Sequence, residues 1–373
     1  MIEPQGPEPG SPPPTGTSRH RPPRMLATIL IVVVLAAIVA AGVSEAVLRF
    51  QSRNNQQAVN LGSRVTITEE SAITSVAATA APAVVEILGH GAGVPPSSGF
   101  LVSSDGYIVT NVQSVVGDSN LTVILASGGR AHQARLVDYD CQSGVAVLKI
   151  DQVSNLPTLA FGDSDALKVG QTLVTLGGAG QTAALSHSAV SALHLFHVID
   201  DPLAADQRIQ VWDTFAGDLP TPSVASGGPV LNVGGQVVGL ATRALASGQA
   251  ADYIVAANDI AADVQQVLST GQIVVPGLGA QVRSLSSNDL ALSGGVGGAQ
   301  ITALTPGGPA AQAGLAVGDV ITELDAQHLD DAHPIGALLR RDYKPGQLVA
   351  VTFSRSGSPR QAQLTLDSEH PVC

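Results

Sequence analysis

The chain has 373 residues, of which 45% are hydrophobic and 3% aromatic, with 40 glycines and a formal charge of -12 at pH 7. This length allows two or three domains, and the composition favours a mainly β protein with a core of small aliphatic side chains. The negative charge excludes a nucleic-acid-binding protein, because such proteins cluster lysine and arginine against phosphates. The two cysteines, Cys141 and Cys373, exclude a disulfide-rich scaffold and a four-cysteine zinc site, and leave one interdomain disulfide open.

The N-terminal region predicts a membrane anchor. Residues 1-24 are rich in proline and glycine and are expected to form a disordered tail. Residues 25-44 carry no charge over 20 positions, and a helix of that length spans about 30 Å of hydrocarbon. Arginines 19, 21 and 24 precede this segment and favour a cytoplasmic N-terminus. We therefore expect a single-pass protein of the cell membrane, with a linker over residues 45-65 and the bulk of the chain outside the cytoplasm. A cleaved secretory signal is the alternative.

Residues 66-270 contain short apolar runs between turn signals. The runs are SGFLVS, GYIVTN, LTVIL, VAVLKI, TLVTL, RIQVW and QVVGLA. Strands of this length and spacing predict an antiparallel barrel or sandwich.

One segment in this region, NDIAADVQQVLS, predicts a helix instead. Asn258 is the expected N-cap and Gly271 the expected end. The apolar positions of its predicted buried stripe are Ile260, Val264, Val267 and Leu268.

Four longer sequence motifs follow one another along the chain, and their order indicates a family. They are SSGFLVSSDGYIVTN, DYDCQSGVAVLKI, LAFGDSDALKVGQTLVTLGG and SGGPVLNVGGQVVGL. In content and order they resemble the HtrA (DegP-like) family of envelope serine proteases, from about Thr66 to Leu366. The resemblance implies a trypsin-like double β-barrel over residues 66-270 and an α+β PDZ domain over residues 271-373.

The residues at the family's catalytic positions depart from its pattern. Ser226 in VASGGP matches the nucleophile, but Gln113 in TNVQSVV replaces the general-base histidine and Gly144 in DYDCQSGVAVLK replaces the acid. Val224 stands where the family has a glycine whose N–H helps form the oxyanion hole. Since an amide has no useful proton affinity near pH 7, Gln113 cannot activate Ser226. The resemblance thus predicts a protease fold without an ordinary triad, in which Ser226 serves the tight turn.

Two alternatives concern the histidines. One of them could fold back towards Ser226 as an atypical base; the candidates are His90, His132, His187, His194 and His197. His194 and His197, in HLFH, also suggest a metal site, but in a strand their side chains point to opposite faces. We expect surface or strand histidines, no bound metal and no cofactor.

From residue 275 the chain resembles the PDZ domain that follows HtrA proteases. Gly277, Leu278 and Gly279 match the loop whose backbone N–H groups bind a peptide carboxylate, and the strand from Ala280 to Val282 would accept the peptide as an added strand. The predicted apolar pocket comprises Leu278, Ala280, Val282, Ile335 and Leu338. The alternative is that these apolar residues are ordinary core.

Three functions remain open. The favoured one is an inactive HtrA-like protein that binds peptide C-termini or unfolded envelope proteins. The second is an active endopeptidase in envelope protein quality control that uses Ser226 with an atypical base. The third is a regulatory subunit that assembles with an active homologue; the family also implies a homo-oligomer.

Overall fold

The computed structural model describes residues 63–89, 95–204, 207–218, 222–285, 297–331 and 333–371, with side chains from Ser71 onward apart from Gln181. The predicted tail, the predicted transmembrane segment and the linker as far as residue 62 lie outside the described residues. Within the described part, no helix is both long and apolar enough to cross a bilayer. Residues Thr66–Cys373 form one compact unit.

Six strands close the first barrel, in the order β1-β2-β3-β6-β5-β4. They are β1 (Val84–Leu88), β2 (Ser97–Leu101), β3 (Tyr107–Asn111), β4 (Leu121–Leu125), β5 (His132–Asp140) and β6 (Val145–Ile150). Aliphatic side chains fill its interior, as the many valines, leucines and isoleucines predicted.

A second closed barrel has the strand order β10-β11-β12-β9-β8-β7. Its strands are β7 (Thr172–Gly177), β8 (Ala184–Asp200), β9 (Arg208–Gly217), β10 (Pro229–Leu231), β11 (Val237–Ala246) and β12 (Gln249–Ala256). Every apolar run predicted as a strand overlaps one of these twelve strands. Because both barrels are antiparallel and closed, they confirm the expected trypsin-like architecture.

Two helices flank the barrels, and the sequence analysis missed one of them. Helix α1 (Ser63–Ala80) contains many β-branched residues, which lower helix propensity. The sequence pattern that indicates this helix is the spacing of its apolar residues Ile73, Val76, Ala77 and Ala80, which pack on the barrel core. Helix α2 (Ala257–Thr270) was predicted and ends at Gly271, whose φ is 82°.

Two details of the α2 prediction are wrong. Its N-cap is Ala256, because the Asn258 side chain bonds instead to Ser164 and Asp163 across the domain. Leu268 is 45% exposed, whereas Ile260, Val264 and Val267 are buried as predicted.

The C-terminal domain is a β-sheet covered by short helices. Its elements are β13 (Val275–Gly277), β14 (Ala280–Leu285), β15 (Gly298–Leu304), α3 (Pro309–Gln312), β16 (Val320–Leu324), β17 (Gln327–His328), α4 (Ile335–Asp342), β18 (Leu348–Arg355), β19 (Ser358–Thr365) and β20 (Asp367–Glu369). The main sheet has the order β14-β15-β16-β18-β19, so β14 lies at its edge. Strand β13 pairs separately with β20.

Helix α4 of the C-terminal domain docks onto the barrels through Arg340. Its guanidinium contacts the Asp140 carboxylate at 2.7 and 2.9 Å, and both side chains are almost fully buried. Arg340 also donates to the Gly336 carbonyl and to Gln142 Oε1. The Trp212 indole packs beside this network. A Cβ added at position 336 would lie 3.1 Å from the indole ring.

The neighbouring residue, Arg341, makes a second set of ion pairs. Its guanidinium bonds to Asp259 at 2.7 Å, to Asp165 at 3.1 Å and to Asp213. Both arginines of α4 therefore face an acidic surface of the barrels. Such buried ion pairs specify how two surfaces dock more than they add net stability.

We predict that Arg340→Ala lowers the free energy of unfolding by roughly 3 to 5 kcal/mol, because it leaves the Asp140 carboxylate buried without its cation. Urea unfolding at pH 7 measures the change. Arg360→Ala is the matched control, since Arg360 is exposed on β19. A loss below about 1 kcal/mol, typical of exposed ion pairs, would contradict the assignment.

Two carboxyl groups at this junction are perturbed by burial. Desolvation raises the pKa of Asp259 to about 6 and outweighs the opposing effect of the Arg341 guanidinium. Desolvation, reinforced by the charge of Asp140, also raises the pKa of Asp263 well above its ordinary value. The native protein therefore keeps these protons to a higher pH than the unfolded chain does.

The sign of the resulting pH dependence follows from proton linkage. Between about pH 4 and pH 6 these two carboxyl groups bind more protons in the native state than in the unfolded state, so their contribution to stability falls as the pH rises. We predict that Asp259→Asn flattens this decline, with a change relative to the wild type of up to about 3 kcal/mol across the window. Urea titrations from pH 4 to pH 7 measure it. Asp165→Asn is the control, because Asp165 is a half-exposed partner of Arg341, and its stability should follow the wild-type pH dependence. A steeper decline of stability with pH in Asp259→Asn than in the wild type would refute the prediction.

Candidate active site and peptide-binding loop

Ser226 lies at the junction of the two barrels, where a 3-10 turn (Ser223–Ala225) leads into β10. It is 8% exposed. The following Gly227 has a φ of 84°, and a Cβ there would overlap the Ser98 carbonyl oxygen and the Thr110 hydroxyl. Close packing on β2 and β3 therefore requires glycine at position 227, whether or not Ser226 is a nucleophile.

The hydrogen-bond partners of Ser226 Oγ are both donors. Asn111 Nδ2 donates to it at 2.8 Å, and the Arg243 backbone N–H donates at 3.2 Å. No imidazole among the described residues lies within hydrogen-bond distance of this oxygen. The hydroxyl thus acts as an acceptor in a buried network, whereas a triad serine must give its proton to a base.

The structure brings the three sequence-predicted triad positions into one region. Gln113 lies in the 3-10 turn that follows β3, two residues after Asn111. The Val112 N–H donates to the Gly144 carbonyl at 3.0 Å, which joins this turn to the β5–β6 turn. Gly144 has a φ of 73°, and its missing side chain would point towards Val255 at 3.6 Å and the Tyr253 hydroxyl at 4.0 Å. Ser226, Gln113 and Gly144 therefore lie on adjoining turns, and positions 113 and 144 carry neither an imidazole nor a carboxylate.

A buried cluster of Gln113, Tyr253 and His197 adjoins the Gly144 position. Tyr253 is 1% exposed and stacks on His197 with ring centroids 4.7 Å apart. Burial raises the pKa of the Tyr253 hydroxyl and lowers the pKa of His197. The Gln113 side chain is close enough to Tyr253 to oppose that rise, yet the geometry of a hydrogen bond is not met. Both Gln113 amide atoms, the Tyr253 hydroxyl and His197 Nε2 lack hydrogen-bond partners within the described part of the chain.

Two backbone N–H groups beside the Ser226 hydroxyl are used inside the turn. The Ser226 N–H is directed at the Ser223 carbonyl at 3.2 Å, and the Ala225 N–H at the Pro222 carbonyl at 2.8 Å. Ser98 Oγ donates to the Val224 carbonyl at 2.5 Å. An oxyanion hole needs N–H groups directed at the substrate, and the Ala225 and Ser226 N–H groups are directed at the turn's own carbonyls instead.

The candidate histidines do not approach the Ser226 hydroxyl in the described part of the chain. His194 has a φ of 54° and lies 3.6 Å from Asp213, whereas His197 stacks on Tyr253. His132 lies on β5, His187 lies on β8, and His90 is outside the described residues. In the part of the chain that the structure describes, no three His, Cys, Asp or Glu side chains form a group that could hold a metal.

The predicted peptide-binding residues lie together in the C-terminal domain. Leu278, Ile335 and Leu338 are 4%, 2% and 6% exposed and belong to its core, with Ala280 and Val282 packed against them. Gly279 has a φ of 65°, as a tight loop before β14 requires. Its N–H is not free: it donates at 3.0 Å to the carboxylate of Glu369, a residue that the sequence analysis did not single out.

Cys141 is fully buried beside the β5–β6 turn and is disulfide-bonded. Cys373 lies outside the described residues.

Comparisons with known proteins agree with this architecture. A family model for the trypsin-like peptidase domain matches residues 97–240, and one for the PDZ domain matches residues 276–366. The chain is 36% identical over 275 residues to a probable periplasmic serine endoprotease, DegP-like, of Halomonas elongata, covering 72% of this chain and 56% of that protein. It is 31% identical over 281 residues to the periplasmic pH-dependent serine endoprotease DegQ of Escherichia coli, covering 73% and 59%. The chain thus spans little more than half the length of these relatives.

Solved structures give the same result over a larger share of each chain. The HtrA-type protease AlgW with a tripeptide is similar with a TM-score of 0.63 and 25% identity, covering 80% of this chain and 98% of that one. AlgW with a decapeptide gives a TM-score of 0.60 at 22% identity, covering 80% and 99%. The order of the two matched domains, the relatives and the double barrel together show that this chain belongs to the HtrA/DegP-like family.

Proposed function

We propose that this chain is a membrane-anchored pseudoprotease of the HtrA/DegP-like family. Its trypsin fold serves as a scaffold. Its PDZ domain binds peptide C-termini or extended segments of unfolded envelope proteins. The apolar segment 25-44 holds it in the membrane, with the N-terminus in the cytoplasm and the two folded domains outside.

The observation that carries the proposal is the environment of Ser226 Oγ. Its two partners are the Asn111 amide and a backbone N–H, and neither can accept a proton at neutral pH. Removal of the base or the nucleophile of a serine-protease triad costs on the order of a million-fold in turnover. An amide at position 113, no side chain at position 144 and an occupied Ser226 N–H all act in the same direction.

Support for peptide binding comes from the C-terminal domain. Strand β14 lies at the sheet edge, next to a glycine loop and to the apolar side chains Ile335 and Leu338 of α4. An edge strand of this kind accepts a peptide by β-augmentation, while the loop N–H groups receive the terminal carboxylate. Two of the similar structures carry a tripeptide and a decapeptide, which makes the same ligand class reasonable for this chain.

A second candidate, an active endopeptidase, is favoured by one observation. The similar proteins are named serine endoproteases. The Ser-Gly-Gly-Pro sequence that matches the nucleophile turn of the family is present in this chain. This function needs a base from another subunit or from a rearranged His197. The third candidate is a regulatory subunit that assembles with an active homologue.

We predict that a fluorescent fluorophosphonate probe does not label Ser226, because an unactivated hydroxyl reacts slowly with such electrophiles. Purified full-length protein is incubated with the probe at pH 7 and analysed by gel fluorescence and peptide mass spectrometry. Trypsin is the positive control, and Ser226→Ala is the matched negative control. Labelling that disappears in Ser226→Ala would replace the pseudoprotease with the endopeptidase.

The membrane anchor has its own test. We predict that the full chain stays in the membrane pellet after alkaline carbonate extraction, because a 20-residue apolar helix inserts across the bilayer. A chain without residues 1-44 should appear in the supernatant. Release of the full chain by carbonate would count against the anchor.

A further inference from the structure

The last described strand of the chain lies on the carboxylate-binding loop. Strand β20 pairs antiparallel with β13, with Val275 opposite Glu369 and Gly277 opposite Asp367. Because β13 leads directly into the Gly277–Gly279 loop, this pairing brings the side chain of Glu369 to the loop.

Glu369 makes the contact that a peptide C-terminus would make. Its Oε1 accepts the Gly279 N–H at 3.0 Å. A glutamate side chain and a peptide terminus carry the same group, a carboxylate with two acceptor oxygens and one negative charge. Backbone N–H groups in such a loop bind that group whatever its source, so Glu369 is an internal substitute for the ligand.

The sequence of the loop is adapted to this side chain. A Cβ at position 277 would overlap the Glu369 carboxyl group, so only glycine admits it. The three loop residues Gly277, Leu278 and Gly279 are buried, whereas Glu369 itself is exposed. The contact covers the loop and is also open to displacement from solvent.

Both sides of the segment are fixed. On one side, Leu366 exchanges backbone hydrogen bonds of 2.8 Å with Gly346 and Gln347. On the other, His370 Nε2 lies 3.1 Å from the Asp138 carboxylate of the first barrel. The same carboxylate oxygen accepts the Ile273 N–H at 2.6 Å, so the segment is attached to the scaffold as well as to the PDZ domain.

We infer that residues 367–370 form an autoinhibitory strap that competes with peptide C-termini for the Gly277–Gly279 loop. This inference rests on the proposed function, namely that the PDZ domain binds such termini. A ligand that needs the loop must first displace Glu369, so its measured affinity is the intrinsic affinity reduced by the fraction of molecules in which the loop is free.

The test measures peptide affinity with and without the strap contact. Full-length protein in detergent is titrated into a fluorescein-labelled decapeptide that ends in Leu-Ala-Val with a free carboxylate, and anisotropy gives the Kd. We expect Glu369→Ala to lower the Kd about tenfold, the effect of one charge-assisted hydrogen bond, and Glu369→Gln to have a smaller effect in the same direction. Asp367→Asn is the matched control, since Asp367 lies on the same strand and its side chain accepts, among the described residues, a hydrogen bond from the adjacent Ser368 N–H alone.

The outcomes separate the strap from the proposed function. Tighter binding by both Glu369 variants, absent for Asp367→Asn and for the same peptide with a C-terminal amide, supports the strap. Equal affinity of wild type and Glu369→Ala overturns the strap and leaves peptide binding intact. Failure of every variant to bind overturns peptide binding by this loop and the strap with it. A midpoint temperature of thermal unfolding equal to that of the wild type verifies that each variant retains the fold.

Discussion

The buried pair of Arg340 and Asp140 is the interaction on which the arrangement of the two folded domains depends. Asp140 ends β5, and its other oxygen accepts the N–H groups of Gln142 and Ser143. It thereby fixes the turn that reaches Gly144. In the family this turn carries the triad acid. In this chain the Arg340 guanidinium of helix α4 holds the turn, so the turn takes part in domain docking.

The surroundings of Ser226 form an ordered, buried structure. Ser226 keeps two donors to its hydroxyl, and the Ser-Gly-Gly turn keeps its close contact with β2 and β3. The Gln113 amide atoms and the Tyr253 hydroxyl lack partners among the described residues, and buried polar atoms in that condition cost free energy. The fold therefore tolerates these polar atoms, supported by the surrounding aliphatic cores of both barrels.

Local patterns in the sequence predicted most strands of the barrels and helix α2, because the apolar strand runs and the Gly271 helix end depend on neighbouring residues. The motif order located Ser226, Gln113 and Gly144. No local sequence pattern predicts contacts between distant segments. The contact of Glu369 with Gly279 and the approach of Tyr253 to Gly144 each join residues about a hundred positions apart. Helix α1 was missed for a different reason, since its β-branched residues obscure a regular apolar spacing.

The packing of Trp212 on Gly336 has a practical consequence. Trp212 is the single tryptophan of the chain, is 6% exposed, and belongs to the barrel domain while its ring contacts the PDZ helix. Its emission under selective excitation comes from the domain junction alone. Separation of the domains would hydrate the indole and shift its spectrum to the red, so undocking is visible in the unlabelled protein.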